Sequence, residues 1–241
     1  MKLNFLEALE EQFEMHKDIF YANKMEQLMA YNHPFIGITN HLRLRILKYL
    51  YPDYEKEIKD NLIETVHSLF EKNEREYHYI ALDLLKKNIS SLYKIDYFFY
   101  IKDLITEKAN WDTVDIIAKD ILGKYLSHFP ELKQTMIHLL INSENIWKIR
   151  SAILFQIHYK EKTNKNLLFL ICDKFIDTNN ILIHNAIVWA LREYSTYNPD
   201  VVAQYIASKN FLLLQKRTKN NEFDTINKLM FDIKKQKEVS I

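Results

Sequence analysis

The feature that most restricts the fold is a segment that recurs every 35 residues. Each copy begins with an asparagine, at Asn110, Asn145 and Asn180, and continues as an apolar run with helical spacing. Asparagine is a preferred N-cap, because its side-chain oxygen accepts a hydrogen bond from the first helical turn. A weaker fourth copy begins at Asn73. Equivalent helices at this interval predict a HEAT-like repeat protein, in which stacked helix pairs bury a continuous core.

The scarcity of glycine also favours an almost wholly helical chain. The 241 residues include two Gly and four Pro, whereas hairpins and Rossmann-type folds need glycine at their turns. Because Gly37 and Gly123 stand alone, a glycine-rich phosphate loop is excluded. We predict an all-α fold, a HEAT-like helical repeat solenoid (an α-α superhelix) with a concave face. It should form a single domain over residues 1–241, with a loose Lys-rich tail from about residue 220.

The apolar periodicity and the proline positions predict where the helices lie. A helix near the start of the repeats should begin with Asn40 as its cap and run through Tyr49, with Pro52 after its end. The other predicted helices cover Leu3–His16, Ala22–Tyr31, Glu57–Lys72, Glu74–Lys87, Ile95–Lys108, Trp111–Phe129, Pro130–Ile141, Ile146–Tyr159, Asn166–Ile176, Ile181–Tyr194 and Pro199–Ala207.

Several kinds of site find no support in the sequence. The single cysteine, Cys172, excludes an internal disulfide and a cysteine-based zinc site. The nine His residues are scattered without metal-ligand spacing, and no Gly-x-Ser-x-Gly motif occurs. We therefore expect no metal and no cofactor. No apolar stretch reaches the ~18–20 residues of a membrane span, so we expect a cytoplasmic protein without a membrane contact.

Trp111 and Asp115 are the first candidates for a functional site. They are four residues apart, so a helix places them on one face. A structural interpretation remains open, with Trp111 as a core anchor and Asp115 as a first-turn charge favoured by the helix dipole. All three tryptophans lie in equivalent repeat helices, however, and Arg150 occupies the position equivalent to Asp115. An indole wall with a carboxylate and a guanidinium is suited to a cationic sugar or base beside a phosphate.

Further basic residues are candidates for the same surface. Arg192 lies three residues beyond Trp189, and Lys160 ends the Arg150 helix, where a solvated helix cap is an equally good interpretation. Arg43 belongs to a basic helix edge that is also consistent with a solvated face. The net charge of +1 gives no general attraction to polyanions, although a basic face can be offset elsewhere.

Three segments resemble the HEAT-like repeat alkylpurine DNA glycosylases, the AlkD-like members of the DNA alkylation repair enzyme family. They are Trp111-Asp-Thr-Val-Asp115, Asn145-Ile-Trp-Lys-Ile-Arg-Ser-Ala-Ile-Leu-Phe-Gln and Ala186-Ile-Val-Trp-Ala-Leu-Arg-Glu-Tyr. Pro34-Phe-Ile-Gly-Ile and Asn198-Pro-Asp-Val-Val are also similar to family segments. The resemblance is collinear from about residue 5 to residue 217.

The resemblance implies a DNA-binding concave face and hydrolysis of the N-glycosidic bond of cationic alkylpurines, such as 3-methyladenine and 7-methylguanine. The implied partner is double-stranded DNA with alkylated bases, bound by a monomer. Asp115 would be the catalytic carboxylate, and Trp111 and Trp189 would flank the deoxyribose. The residues implied to contact the DNA backbone are Arg150, Arg192, Arg43 and Thr39.

Two positions and one segment depart from the family pattern, the segment being the block after Asn210, Phe-Leu-Leu-Leu-Gln-Lys-Arg-Thr-Lys. Leu28 stands where a tyrosine is common, and Asn110-Trp111 replaces two consecutive tryptophans. Together with the low net charge, Leu28 supports an alternative, a catalytically inactive repeat protein that binds DNA or another protein.

Overall fold

The computed structural model describes residues 3–30 and 32–209, and these residues contain helices and no strands. The prediction of an all-α fold is therefore confirmed. Within the same residues, none of the helices has both the length and the hydropathy of a transmembrane span. The described residues divide into two compact units, one that ends at Lys94 and one that begins at Ile95. The predicted end of the second helix at Tyr31, the block after Asn210 and the C-terminal tail lie outside the described residues.

The described residues of the first unit contain five α-helices. They are α1 (Phe5–Met15), α2 (Ile19–Leu28), α3 (Asn40–Asp60), α4 (Leu62–Glu71) and α5 (Arg75–Lys87), and a 3-10 turn follows at Ile89–Leu92. Side chains cap the first three, since Asn4, Asp18 and Thr39 each accept a backbone N–H of the following turn. The cap of α3 is thus Thr39, and the prediction of Asn40 as cap was wrong by one residue.

Helix α3 also continues through Pro52, where the sequence predicted its end. Pro52 is exposed, so its ring and its missing N–H disturb only the solvent side of the helix. The apolar face continues beyond it, because Tyr54 and Ile58 are buried. Burial of these two side chains stabilises the second half of the helix by an amount comparable to the cost of the proline, about 3 kcal/mol.

The second unit contains the three repeat copies that begin at Asn110, Asn145 and Asn180. Its elements are α6 (Tyr97–Leu104), α7 (Trp111–Ile116), a π-helical segment (Ile117–Leu122), α8 (Gly123–His128), a 3-10 turn (Pro130–Leu132), α9 (Lys133–Ile141), α10 (Ile146–Leu154), a 3-10 segment (Ile157–Lys162), α11 (Lys165–Phe175), α12 (Ile181–Ser195) and α13 (Pro199–Ser208). Helix α10 packs against both α7 and α12. The three helices of the 35-residue repeat are therefore neighbours in this unit.

The three repeat asparagines are N-caps, each directly before a predicted helix start, at Trp111, Ile146 and Ile181. Asn110 accepts the N–H of Trp111, Asn145 accepts those of Trp147 and Lys148, and Asn180 accepts those of Leu182 and Ile183. Each cap therefore starts its helix at the same point of the repeat. Single-domain organisation over residues 1–241 stays a prediction.

Helix α7, the π-helical segment and α8 form one continuous helix, as the predicted Trp111–Phe129 element required. The N–H of Gly123 bonds to the carbonyl of Ala118, five residues earlier, which widens the helix by one residue. Gly123 then approaches the carbonyl oxygen of Phe155, where an added Cβ would lie 2.3 Å from that oxygen. The Tyr159 hydroxyl donates to the Gly123 carbonyl at 2.6 Å. These contacts seat the helix against the end of α10.

Candidate active site

The centre of the candidate site is a buried ion pair between two neighbouring repeats. The Arg150 guanidinium donates from Nε to Asp115 Oδ1 at 2.7 Å and from Nη2 to Asp115 Oδ2 at 2.8 Å. The side chains are 10% exposed for Asp115 and 7% for Arg150. A two-bond fork of this kind fixes both groups in one orientation. The sequence placed these residues at equivalent repeat positions, and in the structure they bind each other.

Arg150 also reaches the third repeat. Its Nη1 donates to the backbone carbonyl of Leu182, in the first turn of α12. Arg150 therefore joins α7, α10 and α12 through one guanidinium group. Asn185 occupies the position in the third copy that Asp115 and Arg150 occupy in the first two, and it is exposed.

Trp111 and Trp189 lie on the two outer helices of this trio. Trp111 is 45% exposed and precedes Asp115 by one turn, so the indole and the carboxylate share a face of the helix. Trp189 is partly buried, and its Nε1 donates to Glu193 Oε1 at 3.2 Å. The Nζ of Lys119 lies 5.0 Å from the centre of the Trp189 ring. Lys119 thus connects the helix of Asp115 with that of Trp189.

The basic candidates near α12 occupy two different settings. Arg192 is partly buried, and its buried Nε has no hydrogen-bond partner among the described residues. Lys160 is exposed and has φ 55° and ψ −126°, a strained conformation for a residue with a Cβ. Lys160 and Glu193 line the same small cavity beside α12. Lys160 therefore lies near the Trp189 helix, with its side chain on the surface.

Thr39 and Arg43 belong to the first unit, whereas the residues described above belong to the second. Thr39 is exposed, and its hydroxyl accepts the N–H of Leu42. Arg43 is buried, and its Nη2 donates to Asp83 Oδ2 at 3.1 Å and to Asn40 Oδ1 at 2.8 Å. Its guanidinium also lies 4.7 Å from the centre of the Tyr79 ring. Arg43 is thus held inside its own unit, unlike the exposed basic edge that its sequence position suggested.

Comparison with known proteins relates these features to a family. The family model of the DNA alkylation repair enzymes matches residues 9–223. The chain belongs to this family. A solved structure of a predicted DNA alkylation repair enzyme from Enterococcus faecalis is 30% identical, with a TM-score of 0.74 over 80% of this chain and 90% of that one. No curated protein matches the sequence. The resemblance drawn from the repeat segments is therefore confirmed at the level of the family.

The glycine-containing segment of the family resemblance has a clear structural role. A buried carboxylate, that of Glu76, accepts the backbone N–H groups of Ile36, Gly37 and Ile38 at 2.8–3.0 Å. Gly37 has φ +98°, and an added Cβ would lie 2.0 Å from the Asp18 carbonyl oxygen. The segment is therefore fixed in the first unit by Glu76 and by the absence of a side chain at Gly37.

Sequence reasoning did not identify Lys119, Glu193 or Glu76. Lys119 and Glu193 each lie four residues after a candidate, Asp115 and Trp189, which was an available signal. Glu76 had none, because its partners lie 38 to 40 residues earlier in a loop. Among the described residues, no three His, Cys, Asp or Glu side chains group as metal ligands.

Proposed function

We propose that the chain is a monofunctional DNA glycosylase that hydrolyses the N-glycosidic bond of cationic N3- and N7-alkylated purines in duplex DNA. The observation that carries the proposal is the position of Asp115. Its carboxylate lies on the same helix face as the exposed Trp111 and one helical turn before Lys119, which contacts Trp189. Membership of the DNA alkylation repair enzymes supports DNA as the substrate class.

The chemistry of the leaving group explains why one carboxylate suffices. An alkylated purine that carries a positive charge leaves without protonation by a general acid. As the bond breaks, positive charge develops on the deoxyribose as an oxocarbenium-like state. A carboxylate held against this charge stabilises the transition state more than the ground state, and it also accepts a proton from the attacking water. In this proposal Trp111 and Trp189 flank the sugar, where each indole adds about 0.5–2 kcal/mol of attraction to a cation.

The ion pair with Arg150 has two consequences for this role. It fixes the orientation of Asp115 without movement during the reaction, which is a property of preorganised sites. A carboxylate has about four acceptor positions, and the two hydrogen bonds from Arg150 use two of them. The other positions remain for a water molecule or for the positive charge of the sugar. Arg150 then contacts the DNA backbone through its remaining N–H groups, beside Arg192 and Lys160.

The same ion pair favours a second candidate function. A guanidinium that binds both oxygens of Asp115 offsets its negative charge and weakens its attraction for a cationic sugar. Leu28, which is 69% exposed on α2, replaces the tyrosine common in the family. Both observations suit a protein that binds DNA, or another protein, without excising bases.

Base release from methylated duplex DNA tests the proposal. The wild-type protein should release 7-methylguanine and 3-methyladenine, measured by chromatography of the free bases. Asp115→Asn should lower the rate at saturating DNA at least about 100-fold, the usual effect of removing one preorganised electrostatic group. Wild-type protein that binds the duplex in a salt-dependent manner and releases no base would establish the second function instead.

Folding of the variant must be followed in the same samples. Asp115→Asn would leave the buried Arg150 guanidinium without its counter-charge, and the loss of one partner of such a pair costs about 3–5 kcal/mol. Circular dichroism and duplex affinity separate a folded, inactive variant from an unfolded one. Only a folded variant that still binds DNA and has lost base release supports the catalytic role of Asp115.

A further inference from the structure

A lysine ammonium lies within the candidate site, at a position that neither the repeat pattern nor the family resemblance singled out. Lys119 follows Asp115 by one turn and belongs to the π-helical segment. Its Nζ is 5.0 Å from the centre of the Trp189 ring, which belongs to the third copy of the repeat, whereas Lys119 belongs to the first. The ammonium therefore lies against one of the proposed flanking indoles, on a helix that carries the proposed catalytic carboxylate one turn earlier.

This ammonium differs from lysines that form ion pairs with carboxylates. Lys86 binds Asp83 at 2.6 Å, and Lys209 binds Asp173 at 2.8 Å. For Lys119, the Trp189 indole is the only interaction partner within residues 3–30 and 32–209. An indole face attracts a cation but accepts no conventional hydrogen bond from it. The three N–H donors of Lys119 are thus available to an incoming acceptor.

The charges around Trp189 determine whether a phosphate can bind beside the indole. The Asp115–Arg150 ion pair, one turn before Lys119, combines one negative and one positive group. Glu193 binds the edge of the Trp189 indole, and its negative charge opposes any phosphate that approaches the ring. A phosphate near Trp189 therefore needs a compensating cation, and Lys119 supplies one at the face of the same ring.

We propose that Lys119 binds a backbone phosphate of duplex DNA next to the nucleotide at Asp115, and that Trp189 holds the ammonium in position before DNA binds. The proposal rests on the proposed function, since it assigns this residue to the same DNA site. A lysine held over an indole loses less side-chain entropy on binding than a freely rotating one. Its ammonium then forms charge-assisted hydrogen bonds with phosphate oxygens.

Salt dependence of DNA affinity tests the contact directly. The affinity of wild type and Lys119→Gln for an unmodified duplex is measured by fluorescence anisotropy between about 50 and 200 mM salt. Loss of one phosphate contact should make the slope of log K against log salt less steep by about 0.9 and weaken binding roughly 5- to 10-fold at about 100 mM salt. Methylated and unmodified duplexes should be affected equally, because a phosphate carries no lesion information.

Lys124 provides a matched control on the same continuous helix. It is exposed, and Lys124→Gln removes the same charge from the same element. Its slope should equal that of the wild type, and Lys119→Arg should restore most of the slope lost in Lys119→Gln. An unchanged slope in Lys119→Gln, or an equal fall in Lys124→Gln, would overturn the proposal.

Removal of the indole tests the role assigned to Trp189. In a Trp189→Leu background, Lys119→Gln should weaken duplex binding less than in the wild-type background, because the ammonium is no longer held in position. Equal effects in the two backgrounds would refute the positioning by Trp189.

The two proposals fail separately. The binding measurement uses unmodified DNA and needs no base release, so it remains informative in a protein without glycosylase activity. Absent release together with the expected change of slope overturns the glycosylase proposal alone. Normal release together with an unchanged slope overturns the proposal for Lys119 alone. A protein that binds no duplex at any of these salt concentrations refutes both.

Discussion

Each of the two units contains a buried aspartate–arginine pair, and the pairs are built differently. In the first unit, Asp83 divides its oxygens between two cations, with Oδ2 bound to Arg43 at 3.1 Å and Oδ1 to Lys86 at 2.6 Å. In the second unit, both oxygens of Asp115 bind the single guanidinium of Arg150. The side chains of Asp83 and Asp115 are 8% and 10% exposed, so burial alone does not distinguish them.

The difference lies in what surrounds each carboxylate. Asp83 has two basic partners, and one of them, Arg43, also lies against Tyr79. This arrangement holds α3 and α5 together. Asp115 has one basic partner and follows the exposed Trp111 by one helical turn. A buried ion pair is therefore weak evidence of function by itself, and its neighbours carry the distinction.

The largest effect should separate the two aspartates. Asp115→Asn and Asp83→Asn each remove one negative charge from a buried pair, and each should lower the unfolding free energy by a few kcal/mol. Base release at saturating DNA should fall at least about 100-fold in Asp115→Asn and by less than about threefold in Asp83→Asn. Single-turnover release assays on folded protein measure this. Equal losses of rate in the two variants would show that Asp115, like Asp83, acts only in stability.

The two glycines should differ next, in stability. Gly37→Ala combines a positive φ with a Cβ 2.0 Å from the Asp18 carbonyl oxygen, and it should cost about 3 kcal/mol or more. Gly123 has an ordinary helical φ of −58°, so Gly123→Ala should cost about 1–3 kcal/mol through its contact with the Phe155 carbonyl alone. Urea denaturation gives both values. A stabilised Gly123→Ala variant would mean that the π-helical segment adjusts freely against α10.

A smaller effect should separate two tryptophans of the repeats. Trp189→Leu removes the indole contacted by Lys119 and Glu193, and base release should fall roughly 2- to 30-fold, the equivalent of about 0.5–2 kcal/mol. Trp147→Leu, in the equivalent helix of the preceding repeat, should change the rate by less than about twofold. The same release assay measures both. A larger loss in Trp147→Leu than in Trp189→Leu would show that the flanking indole is Trp147 and that its assignment to Trp189 is wrong.

The smallest effect concerns the buried carboxylate of the first unit. Burial raises the pKa of Glu76 above its ordinary value of 4.5, although its backbone N–H donors oppose this. The folded chain then retains a proton that the unfolded chain has lost. The stabilisation from this group is accordingly greatest below pH 4.5 and decreases as the pH rises through the folded-state pKa.

Urea denaturation of wild type and Glu76→Gln across this pH range measures that dependence. The unfolding free energy of the wild type minus that of Glu76→Gln should decrease as the pH rises, by at most about 1.4 kcal/mol per pH unit. A difference that increases with pH would show that the three N–H donors dominate and that the carboxylate is the preferred form.

The repeat architecture and its caps were predictable because they depend on local chemistry. The spacing of Asn110, Asn145 and Asn180 located three helix starts, and the pairing of Trp111 with Asp115 on one face follows from helical geometry alone. The continuation of α3 through Pro52 was missed, because the burial of Tyr54 and Ile58 depends on tertiary packing.

The interior of the site was less predictable for a related reason. Equivalent repeat positions indicated that Asp115 and Arg150 lie on neighbouring helices, but not whether they face a ligand or each other. Side-chain direction across a helix boundary depends on the relative rotation of the helices. Here the π-helical segment and Gly123 fix the α7–α8 helix against the end of α10. Neither the π-helical segment nor the close approach of Gly123 to the end of α10 can be predicted from the apolar periodicity.

The guanidinium that joins three repeats also sets an order of assembly. Asp115 leaves the ribosome 35 residues before Arg150, and Leu182 follows 32 residues after that. Until Arg150 emerges, Asp115 is a charged side chain on a helix whose partner does not yet exist. The Asp115 carboxylate thus acquires its final orientation only after α10 has been synthesised. A chain that ends before α10 would contain Asp115 without the arginine that orients it.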